Sequence, residues 1–149
     1  MKVLLDTNIL VAAFATQGLC HAVFELCLDH QQIILSPEIL KEFTAALEKK
    51  LKVPHRIAQR TATYLRQHAA VHRIAGPHSR IARDPSDDHI LALAEKTAVK
   101  YIITGDEDLL VLGAHKGIPI VRPRQFWELQ RLNPDRTTRS GPGAMSDWT

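Results

Sequence analysis

Short, largely apolar runs alternate with segments of helical spacing, and this alternation constrains the fold more than any other feature of the chain. Lys2 to Leu5, Gln32 to Leu35 and Tyr101 to Thr104 are buried-strand signals, too short for helices. Asn8 to Phe14 and Leu19 to Leu28 follow the first of them with apolar residues at helical intervals. Ser36 and Pro37 supply an N-cap hydroxyl and a proline at N1 for a helix from Glu38 to Leu51, in which Ile39, Phe43, Ala46 and Leu47 share a face. Pro54 opens another helix to about Gln67, with Ile57, Ala58, Thr61 and Leu65 predicted to face inward. Ala70 to Ile74 reads as a third strand, and Pro119 to Val121 as a last strand at a sheet edge, where a missing N–H is tolerated. Asp84-Pro85-Ser86-Asp87 has the form of a capping box that launches a helix to about Ala98. Glu107 to Leu112 and Pro123 to Leu132 close the series as helices. The order predicts an α/β fold in three layers, a mostly parallel central sheet flanked by helices.

The 149 residues fit one domain, and 45% apolar with 23% charged composition suits a globular core. The domain is expected to span residues 1–132, with a polar tail at 133–149 whose Gly, Pro, Ser and Thr content reads as disorder. No apolar run approaches the length of a membrane span and no leader-like segment opens the chain, so a cytoplasmic location is expected. Cys20 and Cys27 lie on one helical stripe and read as core thiols. A zinc site built from them with His21 or His30 lacks a Cys-x-x-Cys pair and a second ligand pair.

In open parallel sheets, ligands gather outside the carboxyl ends of the strands. Asp6 follows the first strand and Asp106 follows Tyr101 to Thr104, so both are expected there. Glu42 flanks the apolar stripe of its helix, half-turned toward the protein, and Asp88 stands at a helix start without a capping task. Carboxylates that converge repel one another unless a cation lies between them, and hard oxygen donors select Mg²⁺ or Mn²⁺ over zinc. Asn8 and Thr104 are placed to orient those acids or a bound water, Gly105 to let the backbone turn, and Asp108 to add a ligand or a first-turn charge.

The formal charge is +3 and the isoelectric point about 9.0, which suits an anionic partner. Lys49, Lys50, Lys52, His55, Arg56 and Arg60 cluster at a helix junction, while Arg73, Arg80 and Arg83 lead into the Asp84 to Asp88 segment. Basic groups beside an acidic, metal-holding centre fit a polyphosphate substrate. A phosphatase of the dehalogenase type needs a second aspartate where Asn8 stands, and a receiver domain needs a lysine where Gly105 follows Thr104. The phosphate-cradling glycine loops and the Gly-x-Ser-x-Gly elbow are absent from the sequence.

Leu4-Leu5-Asp6-Thr7-Asn8-Ile9-Leu10, Ser36-Pro37-Glu38-Ile39-Leu40-Lys41-Glu42-Phe43, Arg83-Asp84-Pro85-Ser86-Asp87-Asp88 and Ile102-Ile103-Thr104-Gly105-Asp106-Glu107-Asp108-Leu109-Leu110, in that order, resemble the PIN-domain nucleases. Within them the chain looks like the VapC-like branch, the toxin components of prokaryotic toxin–antitoxin systems. The resemblance covers Met1 to Leu132 and puts the family's four acidic positions on Asp6, Glu42, Asp88 and Asp106, with Asp87 and Asp84 as rivals for the third. It implies a Mg²⁺- or Mn²⁺-dependent endoribonuclease that is a homodimer and is held inactive by an antitoxin lying over the acidic groove. Arg83 and Arg80 are then expected to grip the incoming phosphate, and Lys49, Lys50, Lys52 and Arg56 to follow the RNA strand. A binding module without turnover and a DNA-directed nuclease are the alternatives that the same acids allow.

Overall fold

Neighbouring residues of a strand point to opposite faces of its sheet, so the complete burial of Val3, Leu4 and Leu5 means that both faces are covered. A computed structural model of the chain describes residues 1–74 and 87–132. Arg80, Arg83, the Asp84-Pro85-Ser86 part of the expected capping box, and the 133–149 tail lie outside the described residues. The elements are β1 (Lys2–Leu5), α1 (Thr7–Ala15), α2 (Leu19–His30), β2 (Gln32–Leu35), α3 (Pro37–Lys50), α4 (His55–His68), β3 (Ala70–Val71), α5 (Asp88–Thr97), β4 (Tyr101–Ile103), α6 (Glu107–Leu110), β5 (Ala114–His115), β6 (Ile118–Val121) and α7 (Pro123–Arg131).

The strands form one sheet in the order β3-β2-β1-β4-β6-β5, parallel throughout except for the β5–β6 pair. The expected α/β architecture, helices on a mostly parallel sheet, is therefore the observed one. From β1 the chain winds outward through β2 to β3, then crosses back to lay β4 on the other side of β1. The order reverses between β1 and β4, and a crevice opens above the carboxyl ends of such a pair.

Local rules account for the start of α3. Ser36 caps α3, its hydroxyl accepting from the Ile39 N–H at 3.2 Å, with Pro37 at the first helical position. α1 packs on α2 and α3, and α3 packs on α4. Phe14 is an edge partner of Phe43 at 5.5 Å and lies 5.2 Å from Phe24, which joins α1, α2 and α3. Cys27 is fully buried and Cys20 packs against the core, and burial pushes both thiols up.

Several expectations need correction. The inner stripe of α4 is Ala58, Ala62 and Leu65, whereas Ile57 is exposed. The small alanines face the core and the larger Ile57 and Tyr64 are left outside. β3 is only two residues long, and β6 is an interior strand because the unforeseen β5 pairs with it. Pro119 is tolerated there because it stands outside the registered β4–β6 pairs, Ile102 with Ile120 and Ile103 with Val121. α5 spans Asp88–Thr97 with Asp87 at its N-cap position, where the Asp87 side chain makes no cap bond, and the Asp84 end of the expected capping box lies outside the described residues. Gly105 does not adopt a positive φ, and a Cβ there would come no nearer than 3.9 Å to another group, so the turn after β4 does not depend on glycine. Among the described residues no single helix is long and apolar enough to cross a membrane.

Candidate metal centre

β1 ends at Leu5 and delivers Asp6 to the crevice beside β4. The backbone N–H of Asp6 donates to the Ile103 carbonyl at 3.0 Å, so the sheet itself fixes where this carboxylate emerges. Its Oδ1 accepts from the Thr7 N–H at 2.7 Å and its Oδ2 from the Thr104 hydroxyl at 2.7 Å. Thr104 is completely buried, and its Oγ1 accepts from the Asp106 N–H at 3.0 Å. One hydroxyl thus ties the acid after β1 to the turn after β4. Asn8 works on the same turn, its Oδ1 accepting from the Gly105 N–H at 3.4 Å.

Asp106 caps α6, its Oδ1 accepting from the Asp108 N–H at 3.0 Å. That places Asp108 beside it at the start of α6. Ligand oxygens of Asp87, Asp106 and Asp108 all lie within 4.8 Å of one another. A cavity of about 370 Å³ opens on this group and is lined by Asp6, Thr7, Asn8, Glu42, Lys50, Asp87 and Asp106, with Val11, Ala12 and Ala46 as its apolar wall.

Burial pushes the Asp6 carboxyl above the usual carboxylate range, and the Asp106 charge adds to the rise. The bonds from Thr104 and Thr7, and the nearby His89, oppose it. Glu42 is raised as well, by burial first and then by Asp6 and Glu38, against the opposing His89. The inward expectation for Glu42 holds only in part, because its side chain is 52% exposed and is steered by His89, whose Nε2 lies 3.4 Å from Oε1.

Of the expected residues, the fold brings Asp6, Glu42, Asp87, Asp106, Asn8 and Lys50 to one cavity, with Asp108 in the acidic group. Asp88 sits in the first turn of α5, 4% exposed, and belongs neither to the cavity lining nor to that group. Its neighbour Asp87 takes the place beside Asp106. Lys49 and Lys50 end α3, Lys52 has a positive φ of 56° in the connection, and Arg56 lies in the first turn of α4, all exposed. His89 is the residue that sequence reasoning missed.

A family model for the PIN domain matches residues 2–108, a span that includes every one of these acids. The chain belongs to the PIN-domain family. No curated protein matches it. PIN domains are generally nucleases and typically use divalent metals. The donors present fit such an ion: they are carboxylate oxygens, hard ligands within reach of one another, and a cation would offset both the burial that chiefly lifts Asp6 and the smaller push from the Asp106 charge. Neither thiol belongs to the group, so the donor set of this PIN domain suits a hard divalent cation over softer metals.

Proposed function

We propose that this PIN domain is a Mg²⁺- or Mn²⁺-dependent endoribonuclease, a hydrolase of RNA phosphodiesters that serves as the toxin of a VapC-like toxin–antitoxin pair. The observation that carries the reading is the convergence of Asp6, Asp87, Asp106 and Asp108 above the carboxyl ends of β1 and β4, beside a cavity that Lys50 also lines.

A divalent ion bound there supplies Lewis-acid chemistry, making a water more acidic and offsetting charge on the phosphate and leaving oxygen. Asp6, Asp87 and Asp106 would hold the ion, and Asp108 would add a further oxygen. Thr104 keeps Asp6 oriented through its hydroxyl. Glu42 faces the cavity from α3 and orients the attacking water. Lys50 meets a phosphate next to the scissile one, and Lys49, Lys52 and Arg56 carry the strand away along the α3–α4 junction.

The toxin reading carries partners with it: a cognate antitoxin and a second copy of the chain, in a cytoplasmic setting. A groove of about 360 Å³ lined by Phe14, His21, Phe24, Arg60 and Tyr64 supports a protein contact, since Phe14 and Tyr64 are exposed apolar side chains there. A concentration-independent monomer mass in solution would remove the dimer from this proposal.

The deciding experiment incubates the purified protein with a mixed cellular RNA pool in Mn²⁺ or Mg²⁺, beside EDTA and Asp6→Asn controls, and with a ribo- and deoxyribo-oligonucleotide of one sequence. Discrete RNA cuts that both controls abolish, with the deoxyribo strand intact, are expected. Cleavage of both strands would make it a general nuclease, and binding without cleavage would make it a recognition module.

A further inference from the structure

Glu42 is the one acid of the cavity that comes from a half-exposed helix position, and His89 reaches it from a different element. His89 stands in the first turn of α5, one residue past Asp88, with its side chain 20% exposed. Its Nε2 lies 3.4 Å from Glu42 Oε1. Its Nδ1 is buried and has no hydrogen-bond partner among the described residues.

Those two facts choose a tautomer. A neutral imidazole carries one proton, and an N–H at a buried nitrogen without an acceptor is costly, whereas a bare nitrogen there is less so. The proton therefore sits on Nε2, where it meets Glu42 Oε1, and the ring acts as a donor. Among the described residues His89 is the side chain that pairs with the Glu42 carboxylate. A glutamate on a half-exposed helix otherwise samples several rotamers, and ordering it during each turnover slows the reaction. Holding Oε1 leaves Oε2 available to the cavity.

We infer that His89 is a positioning residue, whose Nε2–H holds the Glu42 carboxylate over the acidic cavity so that the first turn of α5 and the middle of α3 act as one site. This rests on the nuclease reading above, with Glu42 acting on the attacking water.

The test uses the full chain with His89→Leu, His89→Gln, Glu42→Gln and the His89→Leu/Glu42→Gln double variant. His89→Leu is expected to lower kcat by about tenfold with KM unchanged, as loss of orientation does. His89→Gln, whose amide presents an N–H near the same point, restores most of that loss. In the Glu42→Gln background the leucine is expected to add less than about twofold, the mark of two residues acting as a unit. An equal cost in both backgrounds would make His89 a packing residue and overturn the inference. A second readout needs neither metal nor turnover: nitrogen-15 spectra of the metal-free protein should show the His89 proton on Nε2, with that signal moving on Glu42→Gln. A proton on Nδ1, or a signal indifferent to Glu42, would overturn the inference. If the wild type cuts no nucleic acid, the nuclease reading fails, and the spectra still decide whether His89 holds Glu42.

Discussion

Asp6 and Glu42 line the same cavity but are held there in different ways. Asp6 follows a strand, is 8% exposed, and has a donor on each carboxylate oxygen. Glu42 stands on a helix with its side chain 52% exposed and is steered by one histidine nitrogen. The first is placed by the sheet, so its position is fixed with the core. The second is placed by a contact between α3 and α5 that can be removed without touching the sheet. At the buried end stability and activity should therefore change together, and at the open end they should separate.

The largest expected effect is at the buried end. Asp6→Asn should lower cleavage by about a thousandfold, because it removes a charge that helps hold the ion, and single-turnover rates on one oligonucleotide measure it. Glu42→Gln should cost about a hundredfold in the same assay, in the range of a group that orients or accepts from water. Its urea midpoint should stay close to that of the wild type. Thr104→Val tests the contrast from the other side. It strips a donor from Asp6 Oδ2 and an acceptor from the Asp106 N–H, so a loss of about 1–3 kcal/mol in urea unfolding is expected together with lower activity. A Thr104→Val protein of unchanged stability would break the comparison.

The pH dependence sharpens it further. Asp6 and Glu42 are both raised above their ordinary values of 3.8 and 4.5, so the folded protein holds protons that the unfolded chain has released. The stability contributed by these groups is complete below the unfolded values and is lost as pH rises through the shifted ones. Urea midpoints of the metal-free protein should decline from acid toward neutral pH, and Asp6→Asn should flatten that decline more than Glu42→Gln, because Asp6 is the more deeply buried. Mn²⁺ should reverse the decline. The smallest effect belongs to the basic rim: changing Lys49, Lys50 and Lys52 to glutamine should reduce the salt slope of RNA binding by about two while Mn²⁺ binding persists. An unchanged slope would make those lysines ordinary surface, two of them already suited to the C-terminal end of α3.

The same contrast explains what could be read from the sequence. Val3-Leu4-Leu5 and Ile33-Ile34-Leu35 announce buried parallel strands, and the acids that follow strands inherit their positions from them. Asp6, Thr104 and Asp106 were visible for that reason. β5 was not, because Ala114 and His115 carry no strand pattern and the pair depends on turns at Gly113 and Gly117, both with positive φ. Asp87 and Asp88 are chemically identical neighbours, and the choice between them turns on where α5 begins, a boundary that sequence leaves loose by several residues. Comparing Asp87→Asn with Asp88→Asn should show the larger loss of cleavage at Asp87. His89 reads as one more polar residue after an acidic run, because its partner Glu42 is distant along the chain and only the packed fold brings them together.

Calorimetric titration of Mn²⁺ into the wild type, Asp106→Asn and Asp87→Asn bears most directly on the convergence of these acids into one cation site. Saturable binding by the wild type, weakened at least about tenfold in each variant, is expected from a shared carboxylate site. No binding by the wild type, or isotherms that the two substitutions leave unchanged, would contradict it.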